Sequence, residues 1–579
     1  MSMVKDSVSI SRLLQVQTNK VNQAHTARLP LKPVIKDVDQ WPLTRTTTER
    51  KDFKNQVRSR TLNALKRNFQ DTSEFYELLK NVIYLEKIRL TQNPWKTDKQ
   101  SEALFWADIK AQMLELEKQN HHTSSDLLEG ILTQIINHYL QEILSRFEPR
   151  AYRFAQRILP YFYGGLLKSS PGRRIQKFWR SKDSIYDRFI FYGDIERLRA
   201  LSSIGPLIVL PNHQSNLDSP TIGYSIDLLG LPAMTYGAGI NLFTLPWLSK
   251  KMNQLGAYKV DRRKKNAIYL EVLKSYSSVC LARGVHSLFF PEGTRSRSGT
   301  LSSKLKLGLL GTAVQTQKDY VLDKGQENKP VIIVPVSMNY SFTLEAESLI
   351  DQHLKKQGRE QYIKEASVTA TSYRLLSILF SHRYTKPEIH IAFGEPTDIF
   401  GNKLDASGRS LDTNGNYINR EEYFRRGNDH VHDDQRDSIY AQDLGQIVQK
   451  GLHDNKVVLS SNIVAVVAFR MLRASFPKLD LYELLRLPLE DVSWEWDDFL
   501  DACQRTIDHV RIKASQGHCI LSTQLDHSTT SIATHGVKHL GIYNSKRPLL
   551  RSSDGKLRSE SLLLLHFYAN QMEAYVDNV

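Results

Sequence analysis

The spacing of apolar residues separates helical regions of this chain from an α/β region. Before residue 147, apolar side chains such as Leu62, Leu65 and Phe69 recur at helical spacing within polar sequence, which predicts packed helices. From about residue 187, short apolar runs alternate with helical segments, a pattern typical of an α/β domain with a central, mostly parallel sheet flanked by helices. Helical spacing returns from residue 438. The predicted strands include residues 207–210, 287–290, 331–336 and 389–393.

These patterns divide the chain into five predicted regions. Residues 401–437 are rich in Gly, Asn, Asp and Arg, which favours a polar linker or surface loop, and we find no internal repeat. His430 and His432 lie there among aspartates, but the polar setting favours a solvated loop, so we expect no metal site. The regions are an N-terminal tail and helical region (1–145), a basic and aromatic segment (146–186), the α/β domain (187–400), the linker or loop (401–437) and a C-terminal helical domain (438–579).

The amino-acid composition indicates a globular protein with an anionic binding partner. With 579 residues, 41% of them hydrophobic, the chain can bury substantial cores. A formal net charge of +16 favours an anionic partner, which can be a phosphorylated small molecule, a lipid surface or a nucleic acid. The three cysteines are scattered, which argues for a reducing compartment. We find no apolar run of the roughly 20 residues needed to cross a bilayer.

The basic and aromatic segment has two interpretations. It can lie in the interfacial plane of an anionic bilayer, or it can be a solvated basic face whose aromatic side chains pack inward. The sequence leaves both open, and it disfavours a nucleic-acid role because no nucleic-acid-binding motif accompanies the segment. Between residues 146 and 180, eight aromatic residues and one acid are interleaved with the basic residues Arg146, Arg150, Arg153, Arg157, Lys168, Arg173, Arg174, Lys177 and Arg180.

His213 and Asp218 are candidate catalytic residues. They follow the predicted strand at 207–210, and Ser219-Pro220 after them is typical of a helix start, with Ser as N-cap. His213 is therefore expected at the carboxyl end of a strand, where α/β folds place their chemistry. Four intervening residues allow one tight turn, so the carboxylate can orient the imidazole and stabilise its protonated form. Such a pair can remove a proton from an alcohol.

A second cluster, Glu292-Gly293-Thr294-Arg295, follows the predicted strand at 287–290. Gly293 allows the backbone to approach a ligand closely. Arg295 and Arg297 can bind a phosphate through guanidinium geometry, and Glu292 can orient a hydroxyl or an arginine. Either arginine alone would suggest a salt bridge between strand and loop. The occurrence of the whole cluster together with the His213/Asp218 pair favours a functional site.

These clusters resemble the sequence blocks of the glycerolipid acyltransferase superfamily. The spacing from His213 to Asp218 looks like the family's H-x-x-x-x-D motif, and residues 290–296 match its F-P-E-G-T-R-S block. Residues 256–262 resemble the second block, in which an arginine corresponding to Arg262 contacts the substrate phosphate. Residues 334–336 resemble the fourth block, a strand that lines the acyl region. The resemblance is strong over about residues 205–396.

Further likeness points to the branch that acylates glycerol 3-phosphate or dihydroxyacetone phosphate. Residues 237–242, 306–310 and 562–570 are similar to segments of these enzymes. The Val-Asp-Arg sequence ending at Arg262 is also common in lysophosphatidate acyltransferases, so the acceptor stays open. The spacing from Gly299 to Lys306 is about one residue longer than in close relatives, which makes Lys304 an alternative to Lys306 as a phosphate contact.

The resemblance implies acyl transfer without a serine or cysteine nucleophile. His213 would take the proton from an acceptor hydroxyl as that hydroxyl attacks an acyl thioester, and Asp218 would hold the ring. Arg262, Arg295 and Lys304 or Lys306 would anchor the acceptor phosphate, while Glu292 would hold the glycerol or shape the site.

No cofactor is expected beyond acyl-CoA or acyl-ACP as co-substrate. Glycerol 3-phosphate is the expected acceptor, with lysophosphatidate or dihydroxyacetone phosphate as alternatives. A peripheral protein is expected on the cytoplasmic side of an anionic membrane, namely the bacterial inner membrane. The rival from another class is a non-catalytic membrane-surface binding protein on the same fold.

Overall fold

In the computed structural model of the protein, the apolar runs of the α/β region pair into one seven-stranded sheet with the order β1-β7-β6-β2-β5-β3-β4. Neighbouring strands are parallel except for β6 and β7, which are antiparallel. The predicted α/β class with a mostly parallel sheet is confirmed. The strands are β1 (Phe189–Tyr192), β2 (Leu207–Pro211), β3 (Thr235–Gly239), β4 (Ala257–Val260), β5 (Ser287–Leu288), β6 (Ile332–Tyr340) and β7 (Ile389–Phe393).

The structure describes residues 24–25, 28–68, 71–95, 98, 100–118, 125–168, 184–240, 246–322, 329–357, 386–426, 429–430 and 433–576. Much of the second half of the basic and aromatic segment, residues 169–183, lies outside these ranges, as do residues 241–242 of the predicted likeness and His432. No helix within the described ranges is both long and apolar enough to span a bilayer. Cys280, Cys503 and Cys519 are buried free thiols.

Helices cover both faces of the sheet, because nearly every residue of its central strands is buried and needs apolar cover on each side. Strand β2, for example, has five buried residues in a row. The helices within the α/β domain are α7 (Ile195–Ser202), α8 (Asp218–Leu228), α9 (Pro246–Gln254), α10 (Ala267–Ala282), α11 (Leu307–Leu322) and α12 (Ala346–Gln357).

The N-terminal helices share one apolar core with α10 and with Tyr258 of β4. Their buried positions recur at helical spacing, as the sequence predicts. This packing places the N-terminal helices beside the β4 edge of the sheet. They are α1 (Pro42–Thr48), α2 (Arg50–Asn68), α3 (Thr72–Gln92), α4 (Gln100–Lys118), α5 (Ser125–Ile143) and α6 (Pro149–Leu166).

The C-terminal region is helical, as predicted, and it includes several two-residue strands. Its core contains side chains of α12, so it packs against the α/β domain. The helices are α13 (Asp434–Asp454), α14 (Ser460–Ser475), α15 (Leu481–Leu484), α16 (Trp496–Ser515), α17 (Thr529–His539) and α18 (Leu562–Ala569). The short strands are β13 (Val457–Val458), β14 (Ser493–Trp494), β15 (Ile520–Leu521), β16 (Leu550–Arg551) and β17 (Leu557–Arg558).

The segment expected to be a linker or loop contains short hairpins, and the expectation that the chain has no internal repeat is wrong. Three seven-residue units start at Asp398, Asp405 and Asp412. Each aspartate accepts backbone hydrogen bonds from the residues two and four positions later. The glycine three positions after each aspartate has a positive φ of 79 to 85°, which closes the turn. The segment's strands are β8 (Lys403–Leu404), β9 (Ser410–Leu411), β10 (Tyr417–Ile418), β11 (Arg425–Arg426) and β12 (Asp429–His430).

Candidate active site

The loop after β2 holds His213 against Asp218. His213 Nδ1 lies 2.8 Å from Asp218 Oδ2, and the same oxygen accepts hydrogen bonds from the backbone amides of Gln214 and Ser215 at 2.6 and 2.8 Å. The Asp218 side chain is 1% exposed and that of His213 is 17% exposed. Because an ionised carboxylate only accepts, His213 Nδ1 donates to it, and Nε2 is left as the basic ring nitrogen.

Helix α8 begins at Asp218, one residue before the predicted N-cap Ser219. The Asp218 carboxylate is turned back onto the loop, where it binds two amides of the preceding turn. A side chain can therefore lie in the first turn of a helix and organise the loop before it. This arrangement fixes His213 to the start of α8.

Glu292 joins the loop after β5 to the histidine loop. Its Oε2 accepts from the His213 backbone amide at 2.7 Å and its Oε1 from the Ser302 amide at 2.8 Å. The Ser296 amide donates in turn to the His213 carbonyl at 2.8 Å. Burial raises the pKa of Glu292, while the amides of Ser302 and His213 oppose the rise. Since both carboxylate oxygens already bind backbone, these contacts favour the predicted shaping role over a direct grip on glycerol.

Two residues of the Phe-Pro-Glu-Gly sequence contact other parts of the site. The Phe290 ring stacks on the His213 ring with 4.1 Å between centroids, which adds a second restraint on the imidazole. Gly293 has a φ of 73°, and a side chain there would come within 2.9 Å of Lys306 Cγ. Lys306 therefore passes directly over the loop, whereas Lys304 lies in the bend before it. This placement favours Lys306 as the lysine nearer the site.

Arg295 lies beside a buried acid that the sequence did not indicate. Arg295 Nη1 is 3.8 Å from Glu345 Oε1, and Glu345 follows β6, the neighbour of β2 on the other side from β5. Glu345 accepts hydrogen bonds from Ser215 Oγ at 2.9 Å and from the Asn216 amide at 3.2 Å. Burial raises the pKa of the Glu345 carboxyl, and Arg295 opposes that rise. Glu345 thus touches both the histidine loop and the predicted phosphate-binding arginine.

Arg262 lies on the same edge of the sheet but farther from His213. It follows β4, and β2, β5, β3 and β4 are all mutually parallel, so their carboxyl ends face one side. Three strand intervals separate β4 from β2, which is about 14 Å at the usual spacing. Arg262 is exposed. The structure therefore brings His213, Asp218, Glu292, Gly293 and Arg295 into one cluster, with Lys306 over it, Lys304 in the adjoining bend and Arg262 along the same edge.

Comparison with known proteins agrees with this geometry. Residues 192–339, which include all four predicted blocks, match the family model described as Acyltransferase. The curated relatives include the glycerol-3-phosphate acyltransferases of Pseudomonas aeruginosa, 24% identical over 294 residues, and Alteromonas mediterranea, 28% identical over 260 residues. That of Pseudoalteromonas atlantica is 30% identical over 207 residues. The chain therefore contains a domain that matches the Acyltransferase family model.

The alignments to these relatives cover only part of this chain and only part of each relative. The matches cover 51%, 45% and 35% of this chain, and 30%, 27% and 24% of the respective relatives. The chain therefore matches less than a third of the length of each. Their activity supports a proposal for this chain rather than an assignment.

The N-terminal helices anchor the second block of the acyltransferase domain. Arg263 binds Asp98 through two nitrogens at 2.7 Å each. Lys264 is buried and forms ion pairs with Glu102 and Glu142. The two basic residues after Arg262 are thus turned toward the helices and hold the loop from that side. Sequence spacing carries no signal for these contacts, because the acids lie more than 100 residues away from their partners.

The C-terminal region supports the two loops that carry Arg295 and Glu345. Asn570 Nδ2 donates to the Ser298 carbonyl at 2.9 Å. The Tyr568 hydroxyl accepts from the Thr343 amide at 2.9 Å and donates to Asn544 Oδ1 at 2.7 Å. The end of α18 therefore braces both loops of the acyltransferase domain, and this gives the predicted likeness at residues 562–570 a physical basis.

Proposed function

We propose that this protein transfers a fatty acyl group from acyl-CoA or acyl carrier protein to the sn-1 hydroxyl of glycerol 3-phosphate. The product is lysophosphatidate, and the reaction is the first step of phospholipid synthesis. The observation that carries the proposal is the His213–Asp218 pair, with its buried carboxylate, within one cluster with Arg295. The names of the curated relatives support glycerol 3-phosphate as the acceptor.

In the proposed reaction His213 acts as the general base. Its Nε2 takes the hydroxyl proton as the acceptor oxygen attacks the thioester carbonyl, and Asp218 stabilises the imidazolium that forms. Collapse of the tetrahedral intermediate breaks the carbon–sulfur bond, and the imidazolium returns its proton to the leaving thiolate. No acyl-enzyme is formed, so a serine or cysteine nucleophile is not required.

The basic residues of the site are proposed to hold the acceptor phosphate. Arg295 and Lys306 lie beside the histidine loop, and Arg262 extends from the same edge of the sheet. Binding a phosphate at this edge fixes the acceptor hydroxyl relative to His213, which lowers the entropic part of the barrier. A phosphorylated triol of glycerol size suits this combination of a base and clustered cations.

An acceptor panel tests the proposed function. Purified protein receives a radiolabelled acyl thioester and one of three acceptors: glycerol 3-phosphate, dihydroxyacetone phosphate or lysophosphatidate. We expect the largest kcat/KM with glycerol 3-phosphate and a lysophosphatidate product. A preference for either other acceptor would replace the proposed substrate, and no transfer to any of them would favour the non-catalytic membrane-binding protein.

We further propose that α6 brings the enzyme to an anionic membrane surface. The hydroxyl of Tyr163 on α6 lies 3.0 Å from Thr221 Oγ1 on α8, so α6 is packed beside the helix that begins at Asp218. A product with one long chain partitions into lipid, which gives a surface near the site a physical rationale. The exposed side of α6 combines apolar and basic residues: Phe154, Ile158, Tyr161, Arg150, Arg153 and Arg157.

Liposome flotation tests this membrane surface. Charge reversal of Arg150, Arg153 and Arg157 is expected to reduce flotation with anionic vesicles, because each basic residue near such a surface contributes about 1 kcal/mol. Charge reversal of exposed Lys450 on α13 is the control. Unchanged binding of the triple variant would exclude α6 as the contact.

A further inference from the structure

Glu345 connects two parts of the site that are far apart in sequence. Its side chain is 3% exposed and reaches Ser215 and Asn216 of the histidine loop. Its Oε1 also faces Arg295, which belongs to the loop after β5. One buried carboxylate, itself carried by the loop after β6, therefore contacts the loops that follow two other strands.

The contact with Arg295 is electrostatic. The distance of 3.8 Å from Arg295 Nη1 to Glu345 Oε1 exceeds hydrogen-bond length. Arg295 Nη1 is shielded from solvent and has no hydrogen-bond acceptor within the described part of the chain. Glu345 thus attracts the guanidinium without accepting a hydrogen bond from Nη1. The Arg295 side chain as a whole is 24% exposed, so its other donors can bind an anion.

The backbone that carries Glu345 is held in place from outside the acyltransferase domain. Thr343, two residues earlier, donates its amide to the Tyr568 hydroxyl, and its carbonyl accepts from Asn544 Nδ2 at 3.1 Å. Both partners belong to the C-terminal region. Glu345 is therefore held in a fixed position, from which it can orient the longer side chain of Arg295.

We propose that Glu345 is a positioning residue that holds Arg295 ready for the acceptor phosphate and keeps the histidine loop in register with it. This inference rests on the proposed function. Removing the charge of Glu345 would deprive Arg295 of this attraction, so phosphate binding would weaken. Removing only the tether to Ser215 would leave the arginine in place.

Steady-state kinetics with Glu345→Gln and Ser215→Ala tests the proposal. Glutamine keeps the shape of the side chain and can still exchange hydrogen bonds with the loop. We expect Glu345→Gln to raise the KM for glycerol 3-phosphate and the Ki of inorganic phosphate by about tenfold, equivalent to about 1.4 kcal/mol, with kcat changed by less than about threefold. For Ser215→Ala, which loosens the histidine loop but leaves the attraction between Glu345 and Arg295, we expect kcat to fall while the KM stays near the wild-type value.

The control is Asp437→Asn, which removes a carboxylate from the ion pair with Lys318 outside the site. It is expected to lower the melting temperature without changing the KM. A double-mutant cycle of Glu345→Gln with Arg295→Lys should show that the two KM effects are not additive.

Each outcome decides between the two proposals. Wild-type protein that fails to acylate glycerol 3-phosphate rejects the proposed function, and the role of Glu345 falls with it. Normal wild-type transfer with an unchanged or lowered KM in Glu345→Gln rejects the role of Glu345 alone. A KM effect that is additive with that of Arg295→Lys also rejects it.

Discussion

Replacing Asp218 by asparagine is expected to slow acyl transfer about 10²-fold while the site keeps its shape. Asp218 Oδ2 receives the His213 ring and two backbone amides, whereas Oδ1 is buried without a donor within the described residues. Asparagine will therefore place its carbonyl oxygen where the three donors meet. His213 keeps its orientation and tautomer, and only the negative charge is lost.

The expected loss of kcat follows from the distance between the Asp218 carboxylate and the His213 imidazolium. The centres of a carboxylate and an imidazolium in this contact lie about 4 Å apart, which gives about 4 kcal/mol of attraction at an effective dielectric constant of about 20. The hydrogen bond to a neutral amide oxygen retains about 1 kcal/mol of it. The barrier for proton transfer should thus rise by about 3 kcal/mol, which is about 10²-fold in kcat.

The assay measures kcat with a radiolabelled acyl thioester and saturating glycerol 3-phosphate, together with the melting temperature. Asp194→Asn is the control, because Asp194 caps α7 through the Arg197 amide at 3.1 Å and lies outside the site. It should leave kcat unchanged. A folded Asp218→Asn variant whose kcat stays within about threefold of wild type would refute the electrostatic argument.

Three further predictions concern the support of the site. Glu292→Gln should lower both kcat and the melting temperature. In the wild type both carboxylate oxygens accept from backbone N–H groups, whereas in the variant the glutamine NH2 would face one of these donors. Unchanged kinetics would contradict the bracing role. Lys264→Met should destabilise the fold by about 3 kcal/mol in urea titrations, because it leaves the largely buried Glu142 carboxylate without its ion-pair partner, whereas Glu102 still pairs with Arg89. A neutral effect would show that the lysine is replaceable. Burial lowers the pKa of His286 to about 4 from 6.5, so the unfolded chain binds the proton first and stability falls as pH drops from about 6.5 to 4. In urea titrations, the free energy of unfolding of His286→Gln should fall less than that of wild type between pH 7 and pH 5. Equal losses would show that His286 does not cause the pH dependence.

Motif spacing predicted the centre of the site because its chemistry is local. Strand β2, the turn from His213 to Asp218 and the start of α8 lie within twelve consecutive residues, from Leu207 to Asp218, where apolar runs and turn signals are informative. Within the seven-stranded sheet, the strands that the patterns missed are β1, β3 and β4. They are four or five residues long, and β3 contains two glycines, so their apolar signal is weak.

Sequence patterns could not indicate the contacts of the site between residues far apart in the chain. Glu345 is separated from Asp218 by more than 100 residues and belongs to no block, so only the adjacency of β6 and β2 brings it to the histidine loop. The same holds for Asp98 and Glu142, whose partners lie after β4. The aspartate repeat starting at Asp398 was missed because its polar composition is also typical of a linker.

The most direct test of the account compares wild type with His213→Ala. Binding of glycerol 3-phosphate, measured by calorimetry, should be retained within about threefold, because the phosphate is held by the basic side chains rather than by the imidazole. Transfer of the labelled acyl group should fall by at least about 10²-fold, since the hydroxyl loses its general base. Full transfer by His213→Ala would contradict the assignment of His213 and the mechanism that depends on it.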